Sequence, residues 1–129
     1  MTKTEKILRA TLDAFVARDL VAFDEYLHPA VVWHDLRPQS PIGGGYQGKG
    51  EVLSYLAGLL ESTGGSMQVE VHDLLASHDH AVALLNVTAQ RAGKALDDRA
   101  VFVVAIEGEQ IREVWAYAGD PYALDEFWA

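Results

Sequence analysis

The residues able to do chemistry fall into a few short groups. Trp33-His34-Asp35 sets an imidazole beside a carboxylate within the apolar stretch Val31–Leu36. Imidazole is the side chain whose charge switches near neutral pH. A strand sends alternate side chains to opposite faces, so either His34 or Asp35 faces a given pocket, and hardly both unless a bulge intervenes. Asp120 lies between Gly119 and Pro121. Apolar walls around it would raise its pKa and suit it to proton transfer, and capping the turn begun by Pro121 is the structural alternative. Trp115 and Tyr117 alternate with Glu113 along one strand face and would line an apolar cavity, the tyrosine adding a hydroxyl. Trp33, Phe15, Tyr26 and Tyr46 carry the same two readings, cavity wall or packed core. Tyr46, beside the three glycines 43–45, is the aromatic placed to close over a ligand.

Two further groups carry less. His78 and His80 flank Asp79, with His72-Asp73 one strand away. Imidazole and carboxylate are proper metal ligands, but the cluster sits in a connecting turn without an established ligand spacing, so no metal is expected. Gly43-Gly44-Gly45 lacks the Gly-Lys-Ser/Thr ending and the preceding strand of a phosphate loop. It reads as a flexible pocket rim.

A pocket needs elements to build it. Thr2 and Glu5 have capping-box spacing, and Leu8, Leu12 and Phe15 then recur at helical intervals. Asp19 caps a short second helix that turns Phe23, Tyr26 and Leu27 inward, and Pro29 ends it. Val31–Leu36 is a strand, and Pro38–Gly50 is a loop rich in Pro, Gly, Gln and Ser. Val52, Leu53, Leu56, Leu59 and Leu60 form the stripe of a third helix, stopped by Gly64-Gly65. Strands follow at 67–76, 81–91, 99–106 and 110–119, joined by short turns, which predicts an antiparallel meander. Residues 81–85 and 101–106 are apolar on both strand faces, whereas a sheet with one wet face alternates. Helices can cover one face. A second copy of the chain covers the other, so a homodimer through the sheet is expected.

The chain has 129 residues, half of them hydrophobic, with no cysteine and a net charge of −9. That length fits one domain, and the absence of cysteine excludes disulfides and thiolate chemistry. The acidic balance argues against nucleic acid, which is bound by Lys and Arg. No apolar run nears the ~20 residues needed to span a bilayer, and the N-terminus is no signal peptide. A cytoplasmic protein that engages no membrane is the expectation.

Several segments together resemble a known family. They are Ala17-Arg18-Asp19-Leu20, His28-Pro29-Ala30-Val31-Val32-Trp33-His34, Tyr46-Gln47-Gly48-Lys49-Gly50, Ile111-Arg112-Glu113-Val114-Trp115 and the closing run from Gly119 to Trp128. In order and spacing they are similar to the SnoaL-like branch of the nuclear transport factor 2-like superfamily. The resemblance implies a single α+β domain over residues 1–129, a cone of N-terminal helices packed in a curved antiparallel sheet.

The resemblance also brings three chemistries to test. The base of ketosteroid isomerase falls at Asp35, but its oxyanion-hole positions fall near Thr11 and Phe102, which supply no comparable hole. Limonene-epoxide-hydrolase-like enzymes use an Asp–Arg–Asp set. Here Asp97 and Arg99 lie near that strand in reversed order, and Tyr117 stands where the last aspartate belongs. SnoaL-like cyclases use an aspartate near the end of the last strand, close to Asp120, while apolar residues around Val101 and Val103 replace their histidine. The expectation is a cofactor-independent acid/base enzyme on a small apolar molecule, of isomerase, cyclase, dehydratase or hydratase type. His34 and Asp120 would move the proton, with Asp35 as substitute base. A non-catalytic carrier of an apolar metabolite is the alternative.

Overall fold

The computed structural model describes residues 2–37 and 45–129, so most of the predicted glycine-rich loop, residues 38–44, lies outside the described residues. Thr2 caps α1 (Lys3–Val16) by accepting the Glu5 N–H, as the capping-box spacing predicts. The helix buries Ile7, Leu8, Thr11, Leu12 and Phe15 on one face. Asp19 caps α2 (Leu20–Glu25) through the Ala22 N–H. This helix ends a turn earlier than the sequence suggested: Tyr26 is its C-cap, and Leu27 already opens β1 (Leu27–Asp35). The short β2 (Gly45–Gln47) pairs with β1 and leads directly into α3 (Gly48–Ser62). Tyr46, expected in a loop, is therefore a strand residue.

Four long strands complete the sheet: β3 (Gln68–Ala76), β4 (His80–Arg91), β5 (Lys94–Glu107) and β6 (Gln110–Tyr117). They form the predicted antiparallel meander, and β6 returns to lie parallel to β1. The order across the six-stranded sheet is β2-β1-β6-β5-β4-β3. The β4–β5 turn has two residues, Ala92 (φ 50°) and Gly93 (φ 77°), both in the left-handed region. That is the form whose twist matches the flanking strands. With so tight a turn, β5 begins at Lys94, five residues before the predicted start, and so brings Asp98 into the sheet. Register shifts between Leu27 and Val32, Val71 and Asp73, and Ala105 and Ile106 add twist and bend the sheet.

The last element is α4 (Pro121–Trp128), a helix where the sequence pattern predicts only a turn. Asp120 caps it through the Ala123 N–H, and Pro121 sits where a proline is pre-set for a helix. Arg91 and Lys94 hold its C-terminal carbonyls from the sheet.

The helices α1 and α3 fill the hollow of the sheet. Facing them, the inner side of the strands carries many small residues, among them Ala81, Ala83, Ala89 and Ala100. Short side chains on a curved surface leave space that Leu8, Leu12 and Leu56 only partly fill. No helix among the described residues is long and apolar enough to cross a membrane.

Candidate functional site

The unfilled space is a cavity of about 140 Å³ between the helices and the inner sheet face. Its walls are mainly apolar, with Leu8, Leu12 and Phe15 from α1, Leu56 from α3, and Val104 and Val114 from the sheet. The volume is below the usual range for small-molecule sites, ~300 Å³ and more, but close to an engineered cavity of ~150 Å³ that takes benzene. One ring fits it.

Charged groups enter this apolar space from β1, β5 and the segment after β1. Asp35 is 4 % exposed and lines the cavity. Its two oxygens accept from the Arg37 Nε–H at 3.0 and 3.1 Å. Arg37 also reaches Asp125 of α4, Nη1 to Oδ1 3.6 Å, with all three side chains nearly closed off from solvent. Both bonds to Asp35 come from one N–H, so the carboxylate is held in place yet keeps lone pairs for a substrate proton. Asp98 on β5 is a second buried carboxylate on the cavity wall, its Oδ1 accepting the Asp120 N–H at 3.2 Å. That contact depends on Gly119: a Cβ there would come within 2.6 Å of the Arg99 carbonyl oxygen.

Tyr55 of α3 also lines the cavity. Its ring stacks on Tyr46 (centroids 4.1 Å apart, 26° between planes) and meets Trp33 edge-on at 6.2 Å. Burial first, then the negative charge of Asp35, push the Tyr55 phenol well above its ordinary value, against a smaller opposing effect of Arg37. Tyr46 is raised by the same causes in the same order. Trp33 is buried between Tyr55 and Phe102, and its indole N–H is enclosed without a hydrogen-bond partner among the described residues.

The sequence candidates separate into two groups. Trp33, Asp35, Phe15 and Tyr117 line the cavity, Tyr117 at its rim and 46 % exposed. His34 does not, because alternation turns it to the outer sheet face and the β1 irregularity, before Val32, is too early to alter this. There it pairs with Glu113, Nε2 to Oε2 2.6 Å, and stacks on Trp115 at 5.7 Å and 14°. Trp115, expected as a cavity wall, is thus part of the outer face. Asp120 caps α4 and touches the cavity only through Asp98. Tyr26 presents its carbonyl to the Ile111 N–H and borders a separate open depression with Glu25, His28 and Glu107. Tyr46 supports Tyr55 from behind and is not a lining residue. Asp97 and Arg99 point to solvent, and the buried Asp–Arg–Asp set is Asp35–Arg37–Asp125, of which Asp35 and Arg37 line the cavity.

Four site residues escaped the sequence reading. Arg37 is two residues beyond Asp35 and thus on the same side of the chain, a signal that was available. Tyr55 lies three residues after Val52 and four before Leu59, inside the helical stripe. Asp98 was hidden by the late start assigned to β5, and Asp125 by the missing α4. Among the described residues no group of three His, Asp or Glu could hold a metal ion. The His78–His80 turn is an exposed His80–Asp79 pair, Nδ1 to Oδ1 2.8 Å.

Comparison with known proteins agrees with this architecture. Residues 8–114 match the family model of the SnoaL-like domain. An uncharacterised protein of Mycobacterium tuberculosis is 29 % identical over 124 residues, covering 95 % of this chain and 94 % of its own. The solved structure of Bal32a, from a soil-derived mobile gene cassette, superposes with a TM-score of 0.93 at 25 % identity, over 98 % of this chain and 97 % of that one. A nuclear transport factor 2-like protein of Burkholderia pseudomallei superposes at 0.87 with 21 % identity, over 98 % of each chain. The fold is nuclear transport factor 2-like.

Proposed function

Since the chain belongs to the SnoaL-like domain family, we propose that its cavity is an active site where Asp35 moves a proton on a small, largely apolar substrate without a cofactor. The supporting observation is Asp35 itself: a carboxylate 4 % exposed, on the wall of an apolar cavity, oriented by Arg37 and retaining free lone pairs. A carboxylate removed from water and fixed in direction suits general acid/base catalysis. Isomerisation uses it to take a proton from one carbon and return it to another, with a hydrogen-bond donor for the oxygen on which charge develops. Cyclisation, dehydration and hydration use the same group with the proton delivered to, or taken from, oxygen. Asp98 stands as a second carboxylate on the same wall, while Asp120 serves it by fixing its direction.

A single-ring probe tests this. The wild type converts 3-cyclohexen-1-one to its conjugated isomer, and Asp35→Asn loses about 10²–10⁴-fold in rate while still binding the saturated ketone. Equal rates in the two proteins would overturn the assignment. The predominance of apolar walls favours a second reading, a carrier for the same class of molecule. In that case the ketone binds and neither protein turns it over.

We also propose a second copy as the partner of the outer sheet face. Leu75, Val82, Val103 and Trp115 are register neighbours across four strands, and together they make an apolar row on the side away from the helices. An isologous dimer would cover both copies of that row at once.

A further inference from the structure

We propose that the Tyr55 hydroxyl is the hydrogen-bond donor that receives the oxygen of a neutral, single-ring ligand, with Asp35 as the facing carboxylate. This rests on the reading of the cavity as the active site. Tyr55 lines the cavity, and its hydroxyl has no hydrogen-bond partner among the described residues. A tyrosine so placed normally satisfies its O–H, so the empty position is one that a ligand fills. The ring is fixed for this, stacked on Tyr46 and set edge-on to Trp33. Trp33 has an unpartnered donor too, but its Nε1 is enclosed, Tyr117 lies half-exposed at the rim and Arg37 is engaged by Asp35 and Asp125, so Tyr55 is a neutral donor held on the inner wall. Burial and the Asp35 charge keep the phenol protonated across the working pH range, so it can only assist an acceptor.

The charges select the acceptor. Asp35 and Asp98 both line the cavity, and among the described residues Arg37 is the one cation on its wall. An anionic ligand would meet like charge with little water to screen it, whereas a neutral carbonyl, ether or epoxide oxygen would not. The volume limits the rest to about one ring. Ligand oxygen at Tyr55 and ligand C–H or water at Asp35 is the arrangement in which a neutral acid and a charged base act on one molecule.

Cyclohexanone and methylenecyclohexane differ in the oxygen and little in shape. Their binding to the wild type and to Tyr55→Phe, which keeps the stacked ring, is measured by calorimetry, with the bound C=O stretch recorded by difference infrared spectroscopy. The expected result is that Tyr55→Phe weakens cyclohexanone about tenfold, leaves methylenecyclohexane unchanged, and removes the downshift of the C=O stretch. If both probes bind and the substitution alters neither, or weakens both equally, the donor assignment is overturned while the cavity reading stands. If neither probe enters the wild type, both readings fall together.

Discussion

The two faces of β1 and β6 carry nearly the same chemical vocabulary and put it to different use. Inward, Trp33 and Asp35 meet Tyr55 and Arg37 around an apolar cavity. Outward, His34 meets Glu113 and Trp115 on a surface that keeps partial access to water. Each face has an aromatic ring and a carboxylate held by a hydrogen-bonding partner. Only the inner one combines them with enclosed space. Water decides the difference: the outer pair exchanges solvation for contact at little net gain, while the inner carboxylates are committed to whatever partner the fold or a ligand provides.

The comparison is broken most severely at Arg37. Arg37→Leu leaves Asp35 and Asp125 without their shared cation, and removing one partner of a buried ion pair costs about 3–5 kcal/mol. For a chain of this size that lowers Tm by roughly 10–20 °C, readable by calorimetry, and Asp35→Asn in the same protein restores part of the loss. On the outer face the large effect is on association. Trp115→Arg weakens the proposed dimer about thirtyfold or more, as expected for a central tryptophan, by sedimentation equilibrium, and leaves cyclohexanone binding intact.

A smaller effect appears at high pH. The folded state holds the Tyr55 proton above the ordinary value of 10.0, where the unfolded chain releases it, so stability falls as pH rises past that value. Tyr55→Phe flattens this slope in urea titrations between neutral and alkaline pH. The smallest effect belongs to the outer pair. His34→Ala costs under about 1 kcal/mol, measured as the shift of the urea midpoint.

The sequence made the scaffold readable because its signals are local. The Thr2 and Asp19 caps and the α3 stripe stopped by Gly64-Gly65 each specify their own few residues. The site was readable only where it shared that locality. Trp33, Asp35 and Phe15 were nameable from strand and helix patterns, but alternation alone left open whether His34 or Asp35 looked inward. The choice depends on which face the helices cover, a long-range fact. Asp98 and Asp125 were lost with the boundaries of β5 and α4. Arg37 and Tyr55 look ordinary in sequence, and their meaning arises from what the fold sets beside them.

The most direct test compares the two faces in one assay. Asp35→Asn and His34→Ala are each given 3-cyclohexen-1-one beside the wild type, and formation of the conjugated ketone is followed by absorbance. The inner-face account predicts loss of at least about a hundredfold in Asp35→Asn and an unchanged rate in His34→Ala. A rate that survives in Asp35→Asn and collapses in His34→Ala would contradict it and move the chemistry to the outer face.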